Sequence, residues 1–236
     1  MTRWPLCLSI LALVAPPMAQ AGAWPREAGT VFVATGAERD RDGNSYASLY
    51  AEYGLSPRTT VGVELGHTTV GETTALVWAQ RPLDDGKGAH RFSVGFGLGA
   101  VWRDGAIEPL AQTTLAWGRG FDSRLAAGWL SARGSLRIAL SPADVSMAPA
   151  DPTEAAFLTP ETSVKSELTL GLHAREGLML INELWFEDRD DVAFSAKLAT
   201  SAVVDIAGPL KLQLGVIEPL RGPGESSVRL GSWVTF

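Results

Sequence analysis

Residues 226–236 read "SSVRLGSWVTF", and the chain stops on the phenylalanine. Val228, Leu230, Val234 and Phe236 alternate with Ser227, Arg229, Gly231, Trp233 and Thr235. That is the period of two expected of a strand with one apolar and one polar face. Ser232 is the one break on the apolar side.

The same period recurs upstream. Phe92, Val94, Phe96, Leu98, Ala100 and Trp102 stand against Arg91, Ser93, Gly95, Gly97, Gly99 and Arg103. Leu210, Leu212, Leu214 and Val216 stand against Lys211, Gln213 and Gly215, and Val164, Leu168, Leu170 and Leu172 against Lys165, Glu167, Thr169 and His173. Helical periodicity is scarce. Runs of this kind between turn signals predict about twelve strands, over 29–37, 45–55, 59–68, 73–82, 89–103, 106–118, 124–140, 162–174, 177–188, 192–204, 209–219 and 226–236. Many exceed the five or six residues usual in globular proteins, and strands of about 9–11 residues are what a tilted bilayer crossing requires.

The other end of the chain says where such strands would reside. "MTRWPLCLSILALVAPPMAQAGAW" has one early cation, Arg3, an apolar run from Leu6 to Val14, and small residues at Ala19, Ala21 and Ala23. We read residues 1–21 as a secretory signal peptide, cleaved after Ala21 or Ala23, and residues 22–236 as one domain. The apolar run is far short of the roughly 20 residues of a spanning helix. Cys7, the only cysteine, leaves with the signal, so about 213 residues must fold without a disulfide, a length that suits one domain. The net charge of −6 becomes −7 when Arg3 leaves, and no nucleic-acid partner is expected.

With the mature N-terminus on the inner side, the links sort into two classes. "SPRT", "RPLDDGKGAH", "GRGFDS", "AREG" and "IAGP" fall inside; "ERDRDGNS", "HTTVGE", "WRDGA", the long "SPADVSMAPADPTEAAFLTPET", "EDRDD" and "PLRGPGES" fall outside. Short inner turns, longer outer loops and an even strand count are the pattern of transmembrane barrels. An exported chain of long alternating strands, without cysteine once the signal is gone and ending on Phe236, resembles a bacterial outer-membrane β-barrel protein. The resemblance implies an all-β, antiparallel up-and-down barrel in the outer membrane of a Gram-negative bacterium. It implies outer-membrane lipid and the barrel-assembly machinery as partners, with Phe236 as the assembly signal. Physics agrees, because only a closed barrel pairs every backbone group of strands inside lipid. A soluble β-sandwich, the alternative, calls for shorter strands and a bulkier second face.

If the apolar faces meet lipid, the other faces meet a lumen, to which they contribute Glu52, Glu64, Arg91, Glu108, Arg133, Arg137, Lys165, Glu167, Glu183, Lys197, Lys211 and Arg229. Arg133, Arg137 and Lys165 form the nearest thing to a cationic stripe, which favours anions if the lumen is open and which Glu167 and Glu183 would otherwise neutralise. Trp102, Trp117, Trp185, Trp233, Tyr53 and Phe186 fall near strand ends, where rings form interface girdles.

No cofactor, metal or catalytic set is expected. "GFGLGA" lies within a strand, not at the strand–helix turn a phosphate loop needs. "DRDGN" has Ser45 and Ala51 where a calcium loop needs its glycine and its glutamate. His67, His90 and His173 have no serine and acid arranged about them as a triad requires. The leading function is passive passage of small polar solutes, followed by a closed barrel with a structural or surface role through its outer loops, and third a lipid hydrolase.

Overall fold

The structure is a computed structural model that describes residues 22–123, 126–140 and 159–236. Among these, twelve strands form one closed antiparallel barrel. They are β1 (Val31–Asp40), β2 (Ser45–Ser56), β3 (Thr59–Thr68), β4 (Thr73–Pro82), β5 (His90–Arg103) and β6 (Ala106–Asp122). The second half continues with β7 (Ala127–Ala139), β8 (Thr162–Arg175), β9 (Leu178–Arg189), β10 (Ser195–Ala207), β11 (Leu210–Arg221) and β12 (Ser227–Thr235).

Each strand pairs with its sequence neighbours, and β12 pairs with β1 in a register that sets Gly231 opposite Gly36. Phe236 completes that seam, because its amide and carbonyl both bond to Val31, at 2.9 and 3.1 Å. The break in the alternation at Ser232 has a partner: its hydroxyl lies 2.8 Å from that of Thr35 on the outer face of β1. A hydroxyl pair costs far less in an apolar surround than two unpaired hydroxyls. The predicted strands match the observed ones to within four residues at every described end. Arg124 and Leu125 lie outside the described residues, as do residues 141–158, most of the long loop between β7 and β8.

Alternation sorts the side chains into an outer and an inner set. Leu65, Val77, Phe96, Leu98, Leu115, Leu136, Leu168, Leu214 and Leu230 point outward, and Phe96 and Leu115 are 55% and 59% exposed. A ring of half-exposed large apolar side chains around a closed barrel is a surface for lipid. Outward Trp102, Trp117, Tyr53 and Phe186 fit the expected girdles. Trp185 and Trp233 do not: they share a face with Glu183 and Arg229 and point into the lumen.

The lumen face is less polar than the alternating strands suggest. Trp129, Met179, Ile181 and Val203 pack together across β7, β9 and β10, with Trp24 and Trp233 against them. Leu76, Trp78, Val101, Leu110 and Ala139 form a second cluster with Tyr50. Fully burying a Val, Leu, Ile or Met side chain contributes about 1.5–3 kcal/mol, so these layers hold the barrel together from within.

Candidate functional site: the lumen

We take the end that holds Val31 and Phe236 as the inner end. There, residues 22–26 run inside the barrel rather than away from it, and Glu27, Ala28 and Gly29 are exposed at its rim. The Gly22 carbonyl accepts bonds from Gln80 Nε2 at 2.6 Å and Ser93 Oγ at 3.0 Å, and Ala23 is fully buried. Trp24 lies over Gly118, where a Cβ would come within 2.3 Å of the indole, so only glycine leaves room for the ring. The Arg26 amide donates to Thr60 Oγ1 at 2.8 Å, its guanidinium pairs with Glu52, and the same group lies 4.4 Å from the Phe32 ring centroid. A Cβ on Gly54 would collide with the Glu27 carbonyl at 2.0 Å. Strands β2 through β6 thus each receive part of one short segment, which with the Trp129 cluster fills much of the inner end.

The outer half of the lumen holds a cavity of about 300 Å3, bounded by Thr68, Ser195 and Ser227 near the outer strand ends. A second chamber of about 270 Å3 shares Glu38, Tyr46, Glu64 and Arg229 with it and reaches down to Tyr50 and Trp233. Charges here pair across the lumen. Arg137 on β7 donates to Gln112 at 2.9 and 2.7 Å and to Glu64 on β3 at 3.2 Å. Arg229 on β12 binds Glu38 on β1 and Glu183 on β9, the latter at 3.2 Å, with its guanidinium 4.6 Å from the Trp185 ring centroid. Lys165 lies 3.4 Å from Glu187, and Lys197 and Glu167 line the outer cavity.

Neutralisation of the cationic stripe therefore follows a different pattern from the expected one. Glu64 and Glu187 partner Arg137 and Lys165; Glu183 goes to Arg229; Arg133 lies opposite Glu167 in the β7–β8 register. Closing the barrel brings β3 within reach of β7, a proximity that adjacent-strand reasoning does not contain. Three expected lumen residues lie away from the two cavities. Arg91 donates to the carbonyls of Gly86, Gly88 and His90, binding the turn over 83–89. Lys211 pairs with half-exposed Asp205 at the inner rim. Glu108 is 1% exposed, 3.7 Å from Arg103, in a buried cluster where Arg103 also meets Glu72 at 3.0 Å. Glu72 in turn accepts the Thr159 amide at 2.8 Å and so fixes the returning end of the long outer loop.

Glu38, Glu72, Arg103, Glu187, Tyr46, Tyr50 and Arg26 were not among the expected lumen groups. Glu38 was reachable, since it lies on the same face as Gly36 one residue beyond the predicted end of β1. Arg26 carried no signal, because it precedes the first strand. Neither acidic loop gathers a metal set: Asp40 accepts the Asn44 amide at 2.8 Å, and Arg189 binds Asp191 at 2.8 and 2.7 Å. His67 bonds Thr73 at 2.9 Å on the outer face, His90 accepts from Trp117 at 3.0 Å, and His173 packs on Trp129.

No family model matches the chain, and no characterised protein matches it in sequence. Solved structures match in fold. A KdgM porin superposes with a TM-score of 0.63 at 9% identity, over 87% of this chain and 99% of that one. The COG4313 outer membrane channel from Pseudomonas putida F1 gives 0.61 at 12% identity, over 91% and 98%. A NanC porin gives 0.52 at 10% identity, over 86% and 98%. The fold is that of bacterial outer-membrane barrels.

Proposed function

We propose that the protein sits in the outer membrane of a Gram-negative bacterium and passes small polar solutes passively through its lumen. The observation that carries this reading is the pair of connected chambers that share charged walls at Glu38, Glu64 and Arg229, below which the lumen is filled by residues 22–26 and apolar side chains. The obstruction is shared between strand side chains of the two apolar clusters and this peptide segment, and the segment, which lies outside the barrel's strand ladder, is the part that can yield without breaking it. The likeness to porins and an outer membrane channel points the same way. Export by removal of residues 1–21 and recognition of Phe236 by the assembly machinery belong to the same proposal. Deleting Phe236 should lower the amount of heat-modifiable barrel in the outer membrane while periplasmic export persists; wild-type levels in fractionation would sink that role.

The ion pair Arg26–Glu52 and the apolar inner cluster favour a second reading, a permanently closed barrel. Swelling of proteoliposomes in graded polar solutes separates the two. Passage predicts swelling that falls off with solute size, and a closed barrel predicts none above protein-free vesicles.

A further inference from the structure

The lower chamber has an aromatic floor. Tyr50 and Trp233 line it, and Phe32 holds both from beneath in edge-on contacts, with centroids 6.4 and 6.1 Å away. Trp78 stacks on Tyr50 at 5.7 Å, and the Tyr50 hydroxyl is tied to Glu52 at 2.6 Å, so the floor is fixed in place. Ala34, Gly36 and Ser48 leave the space above it. The roof is Glu38, Glu64 and Arg229, with Tyr46 and Gln213 on the walls, and its ion pairs are already formed. Arg229 gives Nε and Nη2 to Glu38 Oε1 and Nη1 to Glu183, while Arg137 gives Nη2 to Glu64 Oε1. Among the described residues, no hydrogen bond reaches Oε2 of Glu38 or of Glu64. The chamber therefore offers a flat apolar face below and free carboxylate oxygens above.

We propose that this chamber binds one six-membered ring with an apolar face and a rim of hydrogen-bond donors, a neutral or amino-bearing pyranose, and rejects rings that carry a carboxylate. This deepens the reading of the lumen as a solute path and rests on it for its meaning in the cell. The C–H face of a sugar meets the negative face of the aromatic rings, and its hydroxyls donate to the free oxygens in charge-assisted bonds. An ammonium substituent gains from both carboxylates and from the rings. A carboxylate on the ring would face Glu38 and Glu64 and would reach Arg229 or Arg137 only in competition with the ion pairs those arginines already make, and such like-charge juxtaposition costs several kcal/mol. The chamber itself, about 270 Å3, has room for one ring.

Saturation-transfer NMR on the full mature chain in micelles tests this with glucose, glucosamine, glucuronate and the acyclic sorbitol. Saturation should reach the ring C–H protons of glucose and glucosamine, while glucuronate and sorbitol bind on the order of tenfold more weakly. Ala34→Phe fills the chamber and should abolish the glucose signal in a barrel that remains heat-modifiable; Ser48→Leu serves if that variant does not fold. Equal binding of glucuronate, or a glucose signal that survives in the filled and folded barrel, overturns the proposal. Swelling assays fail separately: glucose binding without swelling removes the solute path and leaves the chamber, whereas swelling without a glucose signal does the reverse.

Discussion

The two ends of the lumen are built from the same alternating strands yet differ in kind. The outer half is wet and carries charges that pair across open space, as Arg137 does with Glu64. The inner half is packed, with Trp129 at 3% exposure, and there a buried ion pair joins a strand to the chain that enters it, Glu52 with Arg26. Strand alternation decides which residues face the lumen, but it does not decide whether the lumen is filled. Filling depends on small positions such as Gly118 meeting a large side chain supplied from elsewhere in the chain.

The largest difference between the halves should appear in their ion pairs. Glu52→Gln leaves the Arg26 guanidinium, 11% exposed, without its carboxylate in a sealed region and should cost about 3–5 kcal/mol. Glu64→Gln acts on side chains 16% and 24% exposed that border a cavity, leaves Arg137 its bonds to Gln112, and should cost about 1–2 kcal/mol. Urea titrations of the refolded barrel measure both, and equal costs would erase the distinction between a packed and a wet half.

A smaller effect is expected at the glycines. Gly118→Leu drives a side chain into the Trp24 site and should cost about 1–3 kcal/mol while exposing residues 22–28 to protease. Gly134→Leu, on the neighbouring strand with open space beyond it, should stay within about 0.5 kcal/mol. Protection of Trp24 unchanged in the Gly118 variant would argue against the seat.

The smallest effect belongs to the turn over 83–89, outside both halves. The Phe92 amide, then the Gly86 amide and Arg91, hold the Asp84 carboxyl below the usual carboxylate range. Its stabilisation is present above the unfolded pKa of roughly 3.9 and is lost as pH falls through the lower folded value. Asp84→Asn should abolish this small acid-side loosening, read as exchange of the Phe92 amide between mildly acidic and strongly acidic solution. A pH response identical to wild type would assign the loosening to another group.

Much of the barrel was legible because lipid outside and a polar lumen face impose a period of two on most of the strands. The outer pairs were only half legible: residue types and faces came from the strands, but partners such as Glu64 for Arg137 depend on closure. The inner seal was hidden for a different reason. "LMLI" at 178–181 and "ALVW" at 75–78 are apolar on both faces, a mark of strands covered on both sides. What covers them on the lumen side includes Trp24, in a segment whose pattern marks no strand. The hairpin at Asp104 and Gly105, both with positive φ, shows the opposite case, in which two residues announce their turn.

Passage through the lumen requires that residues 22–26 be the removable part of the inner packing, beside the fixed strand side chains of the two apolar clusters. Planar-bilayer currents of the mature chain and of a variant lacking Gly22–Ala28 test that directly. We predict small, intermittent conductance for the intact chain and a larger, steady conductance for the variant, with both barrels equally heat-modifiable. The same conductance from both would mean that ions pass by a route the segment does not close, and would contradict the account.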